Sequence, residues 1–410
     1  MGDYMKEILK FINVFGKANK PGELKQYLEM LGINFPPEKV IIVAGTNGKG
    51  TTCVTLQKLL IASGKNVGLF TSPHIKKINE RIKYNGVDIS DENFEKVFEK
   101  VHNVLKDFRL SGFEYLTMIA AYYFYYSCKI DYLILEVGLG GTLDSTNAFD
   151  HKINVITKLG LDHENILGKG IENIAENKLG IIHDGGIVFH FPFPTEAIPL
   201  AQKIQKEKHA KFFQIDEPDF FIDESEREPK YFIKINEKNY KLNLLGRRAV
   251  EDTNVAVAVF KYLEPDCEKY LQVLNDVYWP CRMEKVKYLG KDIFLSGDHN
   301  PQGISSLIEI LEHFRFDSIY FVIGTCYDKN HEKMLEMLSK VKHSHICLTE
   351  TPEKTLAIDQ YTKSELERAE FIDADPVSAL QFACEKSKKE DLVVVTGSLY
   401  LTGFIASTIE

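Results

Sequence analysis

The segment from Gly45 to Thr51, with the sequence GTNGKGT, has residue types that bind phosphate in proteins. Its glycines allow backbone N–H groups to point toward a polyphosphate, and the N-terminus of a following helix adds partial positive charge. We expect Lys49 to reach the β- and γ-phosphates of a nucleotide, and Thr51 to place a hydroxyl near the phosphates or their magnesium ion. The spacing differs from a strict Walker A loop, because the first glycine lies closer to the lysine. The alternative is a glycine-rich turn with a solvated lysine.

The residues on both sides of this loop predict the strand and the helix that the motif requires. Lys39–Ala44 is an apolar run typical of a buried strand. Thr51–Ser63 has apolar residues at helical spacing, and Asn66–Phe70 begins a second strand, which completes a βαβ unit.

Two further side chains that could bind a metal follow predicted strands. Glu136 ends the apolar strand Asp131–Val137, and His163 follows the strand Lys152–Thr157. The carboxyl ends of parallel strands face the ligand crevice, and carboxylate oxygens hold Mg²⁺ against nucleotide phosphates. The alternatives are a salt-bridged carboxylate at a strand end and a hydrogen-bonded histidine in a turn.

Apolar runs alternate with amphipathic segments along the chain, which is typical of a parallel sheet covered by helices. Short alternating segments within Phe212–Leu245 predict antiparallel strands at the edge of the first domain. Trp279-Pro280 breaks a helical pattern, and a second α/β pattern follows. We therefore predict an α/β protein with two domains. A large phosphate-loop domain with a mostly parallel sheet flanked by helices spans residues 1–280, and a smaller Rossmann-like α/β domain spans residues 281–410.

The composition limits the class of protein. The 410 residues include 50 Lys and Arg against 59 Asp and Glu, a formal net charge of −9, which argues against a general nucleic-acid binder. The 7 cysteines stand singly and predict reduced thiols rather than disulfides or a thiolate zinc site. The N-terminus lacks the apolar core of a signal peptide, and Tyr115–Cys128 is too short to cross a bilayer. We expect a cytoplasmic protein that binds neither nucleic acid nor membranes.

The spacing of the phosphate loop is that of a known family. GTNGKGT resembles the ATP loop of the Mur-ligase superfamily, and in particular that of folylpolyglutamate synthases and dihydrofolate synthases. Further segments resemble this family in the same order, and the resemblance runs from about residue 15 to about residue 404. These segments are Thr71–His74, Glu136–Gly141, Leu161–His163, Glu176–Ile181, His299–Pro301 and Gly397–Tyr400.

The resemblance implies which residues bind ATP and its metal ions. The ATP loop is Gly45, Thr46, Asn47, Gly48, Lys49, Gly50 and Thr51. Ser72, Glu136 and His163 match the Mg²⁺ ligands, and the family pattern implies two Mg²⁺ ions and a monovalent cation. Lys178 matches a lysine that is carbamylated, which turns a cation into an anion beside the second Mg²⁺. Without the resemblance, a lysine on the predicted helix Ile171–Ile182 is expected at the surface.

The resemblance also assigns nucleotide contacts later in the chain. Asn254 matches a nucleotide-contacting asparagine, although an asparagine there is also suited to cap a helix. Arg282 matches an arginine that contacts ATP. The family's D-x-A-H-N-P segment begins with Ser296 here, so Asp298 either contacts ATP from a shifted position or the acid contact is lost. His299 keeps its register and is expected to act in catalysis, with Lys49 and Lys178.

Five residues match the family's acceptor pocket: Phe113, Glu114, Leu143, Asp144 and Ser145. An aromatic ring stacks on a pterin, and a carboxylate accepts hydrogen bonds from its aminopyrimidine edge. The alternative for Phe113 is a core aromatic at the start of a helix.

The resemblance implies an ATP-dependent, ADP-forming amide ligase. It would add L-glutamate to dihydropteroate or to a reduced folate through an acyl phosphate, and it would act as a monomer. One alternative is a Mur-type ligase with another carboxylate acceptor, and a second is a nucleotide-binding regulatory protein without ligase activity. The presence of Glu136 and Lys178 argues against the second.

Overall fold

The computed structural model describes residues 3–12 and 19–409, and the chain divides into two compact units. The first comprises the chain up to Pro218 together with Glu251–Leu274, and the second comprises Asp219–Val250 and the chain from Asn275 onward. The sequence-based division at residue 280 differs from this partition in the segments 219–250 and 275–280. Residues 13–18, where the resemblance to the family begins, lie outside the described residues.

The first unit contains an eight-stranded sheet with the order β4-β3-β2-β5-β1-β6-β7-β8. Its strands are β1 (Val40–Ala44), β2 (Val67–Phe70), β3 (Ile82–Tyr84), β4 (Val87–Asp88), β5 (Tyr132–Glu136), β6 (Ile153–Ile156), β7 (Ile187–His190) and β8 (Lys211–Gln214). In this sheet order, each pair of neighbouring strands from β2 through to β8 is parallel. At the other edge, β3 pairs antiparallel with both β2 and β4. The strands β1, β5 and β6 are almost wholly buried, which is why they occur as apolar runs in the sequence.

The helices of this unit are α1 (Asp3–Ile12), α2 (Pro21–Met30), α3 (Lys49–Ala62), α4 (Asp91–Leu105), α5 (Gly112–Tyr122), α6 (Glu164–Leu167), α7 (Ile171–Leu179) and α8 (Ile198–Glu207). A further helix, α9 (Arg247–Leu263), begins in the second unit and continues in the first. The predicted βαβ unit is confirmed as β1, α3 and β2. The helix α5 continues as one π-helical turn over Tyr123–Ser127.

A three-stranded antiparallel sheet in the second unit consists of β9 (Phe220–Asp223), β10 (Lys230–Ile235) and β11 (Lys238–Leu242). The predicted antiparallel pattern is confirmed for these strands, but they belong to the second unit and not to the edge of the first. The prediction is wrong around Phe212, because β8 is parallel to β7. The helix α8 crosses over between β7 and β8, and such a crossover joins parallel strands.

The remainder of the second unit is a six-stranded sheet with the order β12-β13-β17-β14-β15-β16. Its strands are β12 (Arg282–Tyr288), β13 (Lys291–Ser296), β14 (Ile319–Ile323), β15 (Ser344–Leu348), β16 (Ala369–Ile372) and β17 (Leu392–Thr396). The helices are α10 (Pro301–Leu311), α11 (His331–Ser339), α12 (Lys363–Leu366), α13 (Pro376–Lys386) and α14 (Leu399–Thr408). Only β12 is antiparallel to its neighbour, so the predicted α/β fold is confirmed in both units.

Among the helices of residues 3–12 and 19–409, none has the length and apolar character needed to cross a membrane.

Candidate active site

The predicted phosphate loop lies between the end of β1 and the start of α3. Gly48 is the N-cap residue of α3 and has a left-handed φ of +86°. Gly45 has a φ of +150°, and a Cβ atom there would lie 1.7 Å from Oγ1 of Thr157. Both positions therefore require glycine, since a side chain would meet an unfavourable backbone conformation and, at Gly45, a neighbouring side chain.

The loop is held in place by residues that follow β6. The Thr157 hydroxyl donates to the carbonyl of Asn47 at 2.7 Å. The Thr46 amide donates to the carbonyl of Lys158 at 3.2 Å, and the Thr46 hydroxyl donates to the carbonyl of Gly160 at 2.8 Å. This support was not predicted from the sequence, where its single local signal is a threonine at the end of a predicted strand.

Two lysine side chains contact the same carbonyl of the loop. Nζ of Lys49 donates to the carbonyls of Gly45 at 3.2 Å and Thr46 at 3.4 Å, and Nζ of Lys178 on α7 donates to the Gly45 carbonyl at 2.7 Å. Lys178 is 5% exposed, so the expectation of a surface lysine is wrong. Burial lowers the pKa of Lys178 to about 7, and the charge of Lys49 acts in the same direction. A large share of Lys178 is therefore an uncharged amine near neutral pH.

Glu136 ends β5 and pairs in the parallel register with Val43 of β1, two residues before Gly45. Its side chain is buried, and Oε2 accepts a hydrogen bond of 2.9 Å from the backbone N–H of Ser72. The structure thus brings together two of the three residues predicted to bind Mg²⁺. A buried carboxylate beside a serine provides the hard oxygen donors that Mg²⁺ prefers, so the donor chemistry fits this ion.

His163, the third predicted ligand, follows β6 and is the N-cap residue of α6, with a φ of +54°. Its side chain is 41% exposed, and Nε2 lies 3.7 Å from Oδ2 of Asp162. Within residues 3–12 and 19–409, no three side chains of the types His, Cys, Asp and Glu form a group suited to a metal ion. The joint binding of a metal by His163 and Glu136 therefore stays a prediction.

Phe113 of the predicted acceptor pocket lies at the ends of the parallel strands. Its ring contacts Phe70, the last residue of β2, with 5.6 Å between ring centroids. The ring also lies against Gly138, where a Cβ atom would come within 2.6 Å of it. Leu143 is 65% exposed. An aromatic ring and an exposed aliphatic side chain are thus available near the glycine-rich turn that follows Glu136.

Glu114, also predicted to contact the acceptor, is 3% exposed and has internal partners. Its carboxylate accepts hydrogen bonds from the backbone N–H of Ser111 at 2.6 Å and from the backbone N–H of Asn19 at 2.5 Å. The side-chain amide of Asn19 donates a third, at 3.1 Å. Glu114 therefore forms a capping box at the start of α5 and fixes the chain just before α2.

Asp144 and Ser145, like Glu114, form hydrogen bonds within the protein. The Asp144 carboxylate accepts hydrogen bonds from two amides of the turn 138–141, at 3.0 and 2.9 Å. It also accepts from the amide and the hydroxyl of Thr146, at 3.0 and 2.7 Å. The Ser145 hydroxyl is buried and lies 2.6 Å from that of Thr117. These residues give the turn after Glu136 a fixed shape.

Asn254 lies inside α9, seven residues after the start of that helix at Arg247. Its side-chain amide donates to the carbonyl of Asp216 at 3.0 Å. The capping alternative is therefore wrong, and the nucleotide contact of Asn254 stays a prediction.

In the second unit, the carboxyl end of β13 brings together three residues of the predicted site, Arg282, Asp298 and His299, with Ser296. Arg282 begins β12 and pairs with Ser296. The Ser296 hydroxyl donates to Oδ2 of Asp298 at 2.6 Å. Residues two apart point to the same face only within a strand. Because β13 ends at Ser296, this alternation does not determine where the side chain of Asp298 points. Nδ1 of His299 lies 2.9 Å from the carbonyl of Gly297, and burial lowers the pKa of His299.

Comparison with known proteins identifies the class. Residues 281–399 match the family model described as "Mur ligase, glutamate ligase domain". The chain is 33% identical to the dihydrofolate synthase/folylpolyglutamate synthase of Bacillus subtilis, over 97% of this chain and 96% of the relative.

Two solved structures have the same fold over the whole chain. Escherichia coli FolC in complex with DHPP and ADP has a TM-score of 0.85 and 25% identity, covering 100% of this chain and 98% of that one. A bifunctional folylpolyglutamate synthase/dihydrofolate synthase with Mn, AMPPNP and L-glutamate bound has a TM-score of 0.82 and 27% identity, covering 98% of this chain and 97% of that one.

The fold and the phosphate-loop site define an ATP-dependent ligase of the Mur type. The chain belongs to the family of dihydrofolate synthases and folylpolyglutamate synthases, as the sequence motifs predicted.

The hydrogen bond between Ser296 and Asp298 generates a first prediction. If Asp298 replaces the displaced acid, we expect Asp298→Ala to raise the KM for ATP about tenfold, since a charge-assisted contact is lost. Ser296→Asp then changes little or interferes. Steady-state kinetics with ATP varied measures both variants, and Asp359→Ala, at an exposed position of the same unit, is the control. A silent Asp298→Ala, with tighter ATP binding in Ser296→Asp, removes Asp298 from the site.

Proposed function

We propose that the chain ligates L-glutamate to dihydropteroate or to the γ-carboxylate of a reduced folate, and converts ATP to ADP and phosphate. The observation that carries this proposal is the 2.7 Å hydrogen bond from buried Lys178 to the Gly45 carbonyl, which joins the two family motifs in one site. The names of the relatives support it, because the B. subtilis protein is a dihydrofolate synthase/folylpolyglutamate synthase and the E. coli structure contains DHPP and ADP.

In the first step, a carboxylate oxygen of the acceptor attacks the γ-phosphorus of ATP. The bond from that phosphorus to the ADP oxygen breaks, and an acyl phosphate forms. Such a transfer depends on positioning and on neutralisation of charge more than on covalent chemistry by the protein. The amides at the N-terminus of α3 and the ammonium group of Lys49 supply positive charge to the phosphates.

In the second step, the neutral amino group of glutamate attacks the acyl carbon and forms a tetrahedral intermediate. The intermediate collapses with release of inorganic phosphate, and the nitrogen loses a proton as the amide forms. We assign Arg282 and His299 to the phosphate side of the nucleotide, since a guanidinium group binds phosphate through two parallel hydrogen bonds. Asn254 is assigned to the nucleotide as well.

The reaction uses ATP with a divalent metal, as the AMPPNP and Mn of one solved relative suggest. We assign Mg²⁺ to Ser72, Glu136 and His163, and when bound it neutralises charge on the phosphoryl oxygens. Glu136, which is buried and accepts the Ser72 amide, contributes a carboxylate whose position is fixed before the ion arrives. Two Mg²⁺ ions and a monovalent cation stay predictions.

We assign a carbamate to Lys178. The uncharged amine attacks the carbon of carbon dioxide, and a nitrogen–carbon bond forms as one C–O π bond breaks and its electrons move to oxygen. The nitrogen then loses a proton to water. The lowered pKa of Lys178 favours this step, because the amine is uncharged near neutral pH. The product is an anion and is attracted to the ammonium group of Lys49, whereas protonated Lys178 is repelled by it.

The acceptor is assigned to the region around Phe113, Leu143 and Ser145. The Phe113 ring and the exposed Leu143 offer apolar surface against a pterin ring. The carboxylates of Glu114 and Asp144 already accept several internal hydrogen bonds. We therefore assign them mainly to the shape of the pocket, by fixing the start of α5 and the turn after Glu136. A monomer in the cytoplasm, acting on small molecules, is part of the same proposal.

The proposal predicts phosphate release that needs both glutamate and a pterin acceptor. The assay supplies ATP, Mg²⁺ and L-glutamate with either dihydropteroate or tetrahydrofolate, and mass spectrometry detects the addition of one glutamyl residue. Reactions without acceptor or without glutamate are the controls. Absence of a glutamylated product with both acceptors, from a chain that binds ADP, would instead favour a Mur-type ligase for another carboxylate.

Glu136→Ala is expected to abolish turnover while the protein stays folded. The carboxylate supplies charge at the phosphates, and we expect kcat to fall more than about tenfold, equivalent to at least about 1.4 kcal/mol. Turnover is measured with circular dichroism as the test of folding, and Glu172→Ala, at an exposed position of α7, is the control. A variant that retains more than about a tenth of kcat contradicts the assignment of Glu136 as a central metal ligand.

Lys178 is expected to incorporate carbon from ¹³C-bicarbonate. The carbamate needs the uncharged amine, so its NMR signal should grow above pH 7 and decline as the pH falls through the pKa of about 7. Lys178→Ala should lose the signal and most activity, and a small carboxylate such as acetate should restore part of the activity. Lys169→Ala, at an exposed position, should behave as wild type. Full activity with an unmodified lysine would refute the assignment.

A further inference from the structure

Two buried acids on α9 lie beside the phosphate loop, and neither takes part in the proposed reaction. Glu251 and Asp252 are each 4% exposed. Oε1 of Glu251 lies 2.7 Å from Nζ of Lys158, the residue whose carbonyl accepts the Thr46 amide of the loop. Glu251 therefore supports the loop through an intermediate residue, whereas Asp252 contacts the loop directly.

The contact of Asp252 is with Gly48. A Cβ atom built on Gly48 would lie 2.0 Å from Oδ1, 2.4 Å from Oδ2 and 2.4 Å from Cγ of Asp252. The entire carboxylate thus fills the volume that a side chain of residue 48 would occupy. Substitution of Gly48 is disfavoured by this neighbour as well as by its φ of +86°.

This position matters because Gly48 is the N-cap residue of α3 and cannot cap the helix with a side chain. An N-cap side chain normally places an acceptor oxygen at the free amides of the first turn, and a negative charge there is stabilised by the helix dipole. The carboxylate of Asp252 lies where such a side chain would begin, although it comes from another helix.

A second contact joins the same two helices. The hydroxyl of Thr52, in the first turn of α3, donates to the backbone carbonyl of Asp252 at 3.5 Å. Burial raises the pKa of the next residue, Cys53, and the charges of Glu136 and Asp252 raise it further. Both observations put the Asp252 residue at the first turn of α3.

We propose that Asp252 is a positioning residue for ATP, whose carboxylate holds Gly48 and the first turn of α3 in the phosphate-binding conformation before the nucleotide binds. Asp252 acts through Gly48 and the amides of α3 rather than by contact with the substrate. Preorganisation of this kind lowers the cost of ordering the loop on binding and leaves the reacting groups unchanged. The inference rests on the ATP loop of the proposed function and is independent of the acceptor.

The test is the affinity of the full chain for ADP with Mg²⁺, measured by calorimetry without glutamate or acceptor. We expect Asp252→Ala to weaken ADP binding and to raise the KM for ATP about tenfold, with kcat changed less than about threefold. Asp252→Asn, which keeps the volume of the carboxylate, should restore most of the affinity. If the alanine variant does not fold, Asp252→Ser, which also removes that volume, makes the same test.

Glu264→Gln is a matched control, because Glu264 pairs at 3.0 Å with Lys65 just beyond the C-terminal ends of α9 and α3. It removes an acid between the same two helices and should leave ADP affinity unchanged. A folded Asp252→Ala or Asp252→Ser variant with wild-type affinity for ADP overturns the proposal.

A double-mutant cycle tests the direct contact. Gly48→Ala should weaken ADP binding strongly in the wild-type chain, because its methyl group meets the carboxylate and its φ is unfavourable. In the Asp252→Ala background only the backbone strain remains, so the additional loss should be smaller. Equal losses in both backgrounds would contradict the contact. If the cycle shows the expected coupling between residues 48 and 252 but the chain ligates no glutamate, only the proposed function is contradicted.

Discussion

One backbone carbonyl, that of Gly45, accepts hydrogen bonds from two lysine ammonium groups, and the nucleotide site is arranged around this double contact. Two like charges at one acceptor repel each other, and the repulsion is strongest for the buried partner. Burial is the main cause of the lowered pKa of Lys178, and this repulsion lowers it further. A group that would normally be a permanent cation is thereby available as a nucleophile at the point where polyphosphate charge is to be bound.

The second constraint is space. Gly45 and Gly48 are surrounded so closely by Thr157 and Asp252 that neither position has room for a methyl group. The loop is therefore shaped by its neighbours as much as by its own glycines. Polar groups that are fixed before a ligand arrives stabilise developing charge without a further cost of reorganisation. The hydrogen bonds that Thr157 and Thr46 donate also fix the shape of the loop.

The parts of this structure that were predictable are those with a local signal. Buried parallel strands such as β1 and β5 are continuous apolar runs, and a glycine-rich loop before a helix has a recognisable order of residues. The contacts that shape the loop join residues far apart in the chain, such as Asp252 with Gly48, and no local pattern indicates them.

Two segments show where a local sequence pattern is informative and where it is not. The capping role of Glu114 had a local signal, since Ser111 precedes it by three residues in the order S-x-x-E. The resemblance to the family assigned Glu114 to the acceptor instead, so the capping pattern was not used. Around Phe212, short alternating segments continue into β9–β11, so the sequence alone did not separate a parallel edge strand from the antiparallel sheet that follows it.

The pairing of Glu136 with Val43 has a consequence for how this chain can vary. Side chains along a strand alternate between faces, so a shift of one residue sends every later side chain to the opposite face. Exchange of one aliphatic residue of β5 for another is a modest change in packing. Deletion of a single codon in the same strand would instead turn the carboxylate of Glu136 away from its present face. The length of β5 is therefore under a stricter constraint than its composition.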